Sequence, residues 1–475
     1  MTGTHIIGDG PVGAEQKVNV AFVSAIVAVA TIGGFMFGYD SGVINGTQQG
    51  LEKAFHLTKL GTGFNVGAVL LGCAAGAFAA GRASDIFGRR NVMIAAAALF
   101  ILSALGAGAA TSSTIFVIAR ILGGLGVGAA SVLSPVYISE VAPAAVRGRL
   151  TTAQQIMIIA GLTGSFVANF LIAKWAGGST AMVFGHPAWR WMFWVQVIPS
   201  AVFLVSLLMI PESPRFLVAR GRLEKAEAVL TRLFGAAAAK AKVAEISASL
   251  ATDHHQPRLS DLIVSGRVRP IVWAGVGLAV FQQLVGINVV FYYGAVLWQS
   301  VGFSEADSLK INILSGSLSI VSCLISMGFV DRVGRKPILL FGSIGMAVTL
   351  AMVAVAFSTA TLVGGQAHLP QWAGMTALVA ANLYVVFFNG TWGPVMWVML
   401  GEMFPNQIRG SALAVSGFAQ WAANFAIALS FPVAAQMVGL VPTYGFYALS
   451  ALVSFFFVRA LVQETRGREL EQMTG

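Results

Sequence analysis

The sequence predicts an all-α membrane protein: twelve transmembrane helices in two pseudo-symmetric six-helix halves. Three observations carry this. The chain is 57% hydrophobic and only 10% charged, where a soluble domain carries about 25% charged residues. Apolar runs near the roughly 20 residues that cross a bilayer can be placed twelve times. Finally, the charged loop Asp85-Ile-Phe-Gly-Arg-Arg90 returns as Asp331-Arg-Val-Gly-Arg-Lys336. A second matched set follows each copy, Glu140, Pro143, Arg147, Gly148 and then Glu402, Pro405, Arg409, Gly410. A membrane chain that repeats its charged loops about half its length apart has the organisation of a two-lobed transporter, in which similar lobes rock around one central site.

The predicted spans are 20–44, 62–81, 92–111, 115–136, 151–172 and 190–210, then 270–297, 309–330, 337–358, 374–399, 411–436 and 443–462. They divide the chain into an N-terminal segment 1–19, a six-helix half 20–210, a linker 211–269, a second half 270–462 and a tail 463–475. Within the linker, Leu223–Phe234 and Lys240–Leu250 read as short helices, and His254, His255 and Pro257 as a solvated stretch with no ligand-spaced Cys or carboxylate. The first 19 residues lack the pattern of a removable signal peptide. Cys73 and Cys323 fall inside apolar spans and read as packing residues.

With both termini cytoplasmic, the inner segments and the inner ends of the spans hold 23 of the 29 Lys and Arg. The outer loops and outer span ends hold Lys53, Lys59, Lys174, Arg190 and Lys310, and Arg120 lies deeper within a span. This asymmetry sets the orientation. It also accounts for the net charge of +10 through the anionic inner leaflet rather than through nucleic acid. The expected location is a plasma or bacterial inner membrane.

Glycines spaced four apart, Gly34/Gly38, Gly72/Gly76 and Gly124/Gly128, share a helix face and allow backbones to approach closely. Gly124-Leu-Gly126-Val-Gly128 follows no strand, so it reads as packing rather than as a nucleotide loop. No HExxH, Walker A or GxSxG motif occurs. No hydrolytic or nucleotide chemistry, metal or cofactor is called for, and the chain is not expected to be an enzyme.

Two ionisable residues sit within spans and matter most. Asp40 and Arg120 each lie about five residues from the outer end of their span, roughly 7 Å deep at about 1.5 Å per residue. An unpaired charge there costs on the order of 3 kcal/mol, so they are expected to pair. The pair is either a permanent structural bridge or a carboxylate that takes up and releases a proton under the control of Arg120.

A second set is polar and uncharged: Gln154 and Gln155 in span five; Gln282, Gln283, Asn288, Tyr292 and Tyr293 in span seven; Trp392 and Trp397 in span ten; Gln420, Trp421 and Asn424 in span eleven. Amides donate and accept as sugar hydroxyls do, and aromatic faces pack against the apolar faces of a pyranose. An anionic substrate would require unpaired cations, and Arg120 alone is available. The structural alternative is that these amides and indoles only bind helix to helix. A third set, Asp85, Arg89, Glu140, Arg147, Glu212 and Arg215, matches Asp331, Arg335, Glu402, Arg409, Glu464 and Arg466 at the inner ends of the spans. It is expected to act as a cytoplasmic gate. Single surface pairs contribute less than about 1 kcal/mol, but a network between the lobes can bias their equilibrium.

The chain resembles the sugar porter family of the major facilitator superfamily, which includes bacterial proton-coupled xylose and galactose symporters and animal glucose facilitators. The matching segments are Gly38-Tyr-Asp40, Asp85 to Arg90, Pro211-Glu-Ser-Pro-Arg215, Gln282-Gln-Leu-Val-Gly-Ile-Asn288, Asp331 to Lys336 and Glu464-Thr-Arg-Gly467. They span nearly the whole chain in the family order. Pro211 to Arg215 and Gln282 to Asn288 are the segments specific to sugar porters. The resemblance implies a twelve-helix fold with alternating access and a monosaccharide between the halves. By matching position, Gln155, Gln282, Gln283, Asn288, Trp397, Gln420 and Trp421 would contact sugar, with Phe37 and Tyr293 nearby. Asp40 and Arg120 fall where proton-coupled members carry their protonation pair. Ser319 stands where many members have a sugar-binding Asn, Leu162 where the xylose symporter has Gln, and Gln196 where it has Glu. These departures favour a hexose over xylose.

The sequence therefore reads as a proton–monosaccharide symporter for a hexose or a pentose, monomeric in the lipid bilayer and without cofactor or nucleic-acid partner. An uncoupled sugar facilitator with the same site is the alternative. A polyol or inositol transporter and a non-transporting sugar receptor are more distant readings.

Overall fold

In the computed structural model, residues 19–466 are described, apart from 143–146, 253–258, 265, 364–365 and 406. His254, His255 and Pro257 lie outside the described residues, as do the side chains of Arg147 and Asp331. Twelve helices are long and apolar enough to cross a membrane. We label them α1 (Val20–Val43), α2 (Lys59–Phe87), α3 (Arg89–Ala109), α4 (Ser113–Val141), α5 (Arg147–Ala176) and α6 (Ala188–Met209) in the first half. In the second half they are α7 (Pro270–Ser300), α8 (Glu305–Val333), α9 (Arg335–Ser358), α10 (Gln371–Met403), α11 (Arg409–Met437) and α12 (Leu440–Leu461). Among the described residues, strand is confined to short antiparallel pairs such as Met182–Val183 with His186–Pro187.

Helices prevail because lipid offers backbone groups no hydrogen-bond partner. Three spans nevertheless break: α6 at Gln196, α7 at Val285 and Gly286, and α10 at Thr391. Gly286 takes a left-handed backbone, φ 83°, which a side chain would strain. Side chains from neighbouring helices bond the backbone beside two of these breaks. Tyr384 Oη donates to Val285 O at 2.8 Å, and Gln282 Nε2 to Gly393 O at 3.5 Å.

The paired glycines let helices touch backbone to backbone. A Cβ on Gly72 would overlap the carbonyl oxygen of Ile121, and one on Gly124 that of Val69. A Cβ on Gly38 would overlap Ile158 O, and one on Gly161 would overlap Phe35 O. Thus α2 seats on α4 and α1 on α5, as the four-residue spacing of Gly34/Gly38 and Gly72/Gly76 predicts.

Between α6 and α7 run three short helices, Pro214–Ala219, Leu223–Phe234 and Ala236–Thr252. Asn19 N donates to Leu233 O at 3.0 Å, so the start of α1 and this linker share one end of the bundle, here termed the linker end. At the opposite end the halves meet. There Gly63 of α2 packs on Leu429 of α11, Gly316 of α8 on Thr163 of α5, and Glu305 Oε1 accepts from Ser179 N at 2.9 Å.

Overpacking of a close backbone contact costs upwards of 1 kcal/mol. Gly124→Val is therefore expected to lower the apparent melting temperature of the purified protein by several degrees. Gly81→Ala, where an added Cβ meets nothing within 4 Å, should leave it unchanged; equal melting of the two variants would refute the glycine-seam account.

Candidate functional site

Asp40 and Arg120 come together. Both are buried, at 0% and 1% exposed. Arg120 Nη1 donates to Asp40 Oδ1 at 3.0 Å, and Nη2 to the Asp40 backbone carbonyl at 3.0 Å. Gln196, at the α6 break, donates from Nε2 to the same Oδ1 at 2.8 Å. The second carboxylate oxygen, Oδ2, is buried and has no hydrogen-bond partner. The guanidinium also lies over the Phe193 ring at 5.7 Å. The pair is thus held on one oxygen and bare on the other. From sequence, Gln196 registers only as a substitution; its bond to Asp40 depends on the break in α6.

The amides of α7 and α11 gather into one set in the second half. Gln282 Oε1 accepts from Gln283 Nε2 at 3.0 Å and from Gln420 Nε2 at 3.3 Å. Gln283 Oε1 accepts from Asn288 Nδ2, and Asn424 Nδ2 donates to Tyr292 Oη at 3.4 Å. Gln420 Oε1 and Asn424 Oδ1 are buried without partners. Phe37 of α1 faces Trp421 of α11 with ring centroids 5.8 Å apart, an aromatic contact across the halves. Trp397 is 41% exposed. It lies one helical turn beyond Gly393, which meets Gln282, so it shares that inward face. Gln155 is half-buried, whereas Gln154 is buried against Gly34 with both amide atoms unpartnered.

Other predicted residues are engaged differently. Tyr293 Oη donates to Ala428 O at 2.6 Å and its ring packs on Phe431. Ser319 Oγ donates to Ser315 O at 2.8 Å and accepts from Asn389 Nδ2 at 3.1 Å, which ties α8 to α10. Trp392 is fully buried with Nε1 bonded to Leu339 O and Ser343 Oγ of α9. It anchors the α10 break and does not join the amide set.

At the linker end, each half builds the same clasp. Arg89 pairs with Glu140 at 3.2 Å and with Asp85 at 2.9 Å; Arg335 pairs with Glu402 at 2.9 Å. Ser213 Oγ donates to Glu140, and Thr465 Oγ1 donates to Glu402 at 2.6 Å. Glu212 accepts from Arg90 N and Ser213 N, while Glu464 accepts from Arg335 N, Lys336 N, Thr465 N and Arg466 N at 2.9 to 3.0 Å. Burial raises the Glu464 carboxyl, but those four backbone donors outweigh it and hold it below its ordinary 4.5. Arg409 donates to Phe404 O, and Arg215 also has a partner. The partners described for Arg89, Glu140, Glu212, Glu402 and Glu464 all lie in their own half, so these bonds brace each lobe. Ser213 and Thr465 were not singled out in the sequence, although they stand one residue after Glu212 and Glu464.

At the far end, an amide latch that sequence reasoning missed joins the halves. Asn45 Nδ2 donates to Phe291 O at 2.7 Å, and its Oδ1 accepts from Ala295 N at 3.1 Å and from Asn312 Nδ2 at 2.8 Å. Gln48 Nε2 donates to Tyr292 O, and Gln49 Nε2 to Gln299 Oε1. The molecule is closed at this end.

The chain matches the family model described as "Sugar (and other) transporter" over residues 26–475. It is 50% identical over 462 residues to a glucose transport protein of Synechocystis, covering 97% of this chain and 98% of that one. It is 37% identical to the D-xylose-proton symporter of Escherichia coli, covering 97% and 96%. The partially occluded inward-open structure of the xylose transporter XylE from Escherichia coli superposes with a TM-score of 0.82 at 35% identity, covering 94% and 100%. The chain belongs to the sugar transporter family: a multi-pass inner-membrane transporter, not an enzyme.

A carboxylate held below its ordinary pKa stabilises the fold above that value and stops doing so as pH falls through its folded value. Glu464→Gln should therefore melt below wild type at pH 7, and the difference should shrink as pH falls below 4.5. A gap that persists into acid would show that Glu464 acts through packing and not through its charge.

Proposed function

We propose that this member of the sugar transporter family is a proton-coupled monosaccharide symporter working by alternating access, with a hexose as substrate. The observation that carries the coupling is the bare, buried Oδ2 of Asp40. Arg120 and Gln196 occupy the other oxygen, so a proton can be taken up at Oδ2 without first displacing either partner. Once Asp40 is neutral, its attraction for Arg120 falls and α1 and α4 are freer to part. The amides of Gln155, Gln282, Gln283, Asn288, Gln420 and Asn424 would receive the sugar hydroxyls, with Phe37, Trp397 and Trp421 against the ring. Ser319 and Tyr293 support the site from behind.

The hexose reading rests on the 50% identity to a glucose transport protein against 37% to a xylose symporter, together with Leu162 and Gln196 at the departures named above. The excess of Lys and Arg in the inner segments places the linker end in the cytoplasm, so closure of the far end makes this conformation inward-facing. One elementary charge crossing 100 mV supplies about 2.3 kcal/mol, enough for roughly fifty-fold accumulation of a neutral sugar.

In liposomes containing the purified protein, adding D-glucose outside should acidify the lumen. Asp40→Asn should abolish the acidification while labelled glucose still exchanges. Equilibration of sugar without any pH change in the wild type would make the protein a facilitator and Asp40–Arg120 a structural pair. In the same vesicles, Gln282→Ala or Gln420→Ala loses hydrogen bonds worth about 1 kcal/mol or more and should raise KM several-fold with kcat less affected. An unchanged KM would remove these amides from the sugar site.

A further inference from the structure

The linker end of the first half holds a cavity of about 780 Å³, separate from the amide site and bordered by the α2–α3 loop and the linker helices. We propose that it binds the phosphate headgroup of an anionic phospholipid. Four cations line it: Arg90, Arg220, Arg222 and Lys225. Two of these build the walls. Arg90 donates to Leu207 O at 2.8 Å and Leu208 O at 2.9 Å, capping the end of α6. Arg220 Nη2 donates to Asp85 O at 2.9 Å and Ile86 O at 2.7 Å, fixing the α2–α3 loop. Arg222 and Lys225 are exposed, and neither has a described partner. Glu212 is the single lining carboxylate; its Oε1 is engaged by two backbone N–H groups and its Oε2 is buried without a partner. The cavity is therefore strongly cationic, with two cations free to meet a phosphate.

The apolar border favours a lipid over a free anion. Ile86 and Phe87 line the cavity at 49% and 63% exposed, and Leu208 and Met209 at the adjoining end of α6 are 57% and 79% exposed. These side chains lie where the spans end, so acyl chains can run along them while the phosphate reaches Arg222 and Lys225. Basic pockets between membrane helices take anionic headgroups in this manner. A soluble phosphate would leave the apolar border unused. A headgroup bound here also touches the α2–α3 loop, the Glu212 segment and the helix Leu223–Phe234 at once, joining the linker to the first-half clasp.

The test is native mass spectrometry of the full-length protein in detergent, titrated with phosphatidylglycerol or phosphatidylcholine. The expected result is at least fivefold preferential retention of one phosphatidylglycerol. That preference should fall to the phosphatidylcholine level in Arg222→Glu/Lys225→Glu. It should survive in Lys240→Glu/Arg332→Glu, which makes the same charge change at the same end outside the cavity. Equal retention of the two lipids, or undiminished preference in the cavity variant, would overturn the proposal. So would equal loss in the control variant, which marks a general surface potential. Displacement of the lipid by millimolar inorganic phosphate would instead assign the cavity to a soluble anion.

Discussion

A charge buried in a bilayer must be answered inside the protein, and the Asp40–Arg120 pair meets that demand in a way that orders the first half. Arg120 grips both the carboxylate and the backbone carbonyl of Asp40, so α1 and α4 are fixed to each other in depth as well as in rotation. Gln196 can reach the pair only because α6 breaks there. The glycines beside Arg120 complete the arrangement. A Cβ on Gly123 would run into Ser103, and one on Gly124 into the backbone of α2, so the guanidinium is delivered to α1 by a helix that its glycines seat closely on its neighbours. Pairing, break and glycine seam are one device.

The pseudo-symmetry goes deeper than the repeated motifs. In each half a helix begins after a left-handed glycine, Gly88 at φ 98° and Gly334 at φ 101°. A Glu from the segment after the sixth helix of that half accepts from backbone N–H groups of the new helix's first turn, where a carboxylate is favoured by the helix dipole. The next basic residue, Arg90 or Lys336, caps the carbonyls at the end of that sixth helix. A hydroxyl beside the Glu, Ser213 or Thr465, then binds the Glu that holds the clasp arginine. Each lobe is therefore locked at its linker end by an equivalent set of bonds. Under the proposed alternating access, that rigidity would let a lobe rotate as a body.

The twelve helices and their two halves were legible because hydrophobicity, length and loop repeats are properties of local sequence. So was the meeting of Asp40 with Arg120, since the cost of isolation leaves each little other recourse. What the sequence concealed depends on helix rotation and on breaks. Trp392 and Trp397 look equivalent in a string of letters, yet the turn at Thr391 directs the first into α9 and leaves the second on the inward face. Gln154 and Gln155 are adjacent, but only Gln154 is wedged against Gly34. Ser319 looks like a shortened sugar contact and proves to be committed to Asn389 across α8 and α10. Asn45 carries no motif at all; its importance comes from standing opposite α7 when the far end is shut.

The two ends of the molecule are built from different chemistry, and this bears on how it can move. The linker end is ionic, and the bonds described for Arg89, Glu140, Glu212, Glu402 and Glu464 lie within each half, so parting the lobes there breaks none of these. The far end is closed by neutral amides across the halves. Asn45 bonds both Phe291 O and Ala295 N, an acceptor and a donor four residues apart on one helix. Withdrawing Asn45 leaves these two groups free to bond each other as an ordinary helical rung, so α7 is not left with unsatisfied backbone groups in a low-dielectric setting. Either position of the latch satisfies the α7 backbone, which avoids the cost of an orphaned bond, about 1 to 3 kcal/mol. Under the proposed mechanism, such a gate can be tipped by events elsewhere in the molecule, the protonation of Asp40 and the binding of one sugar.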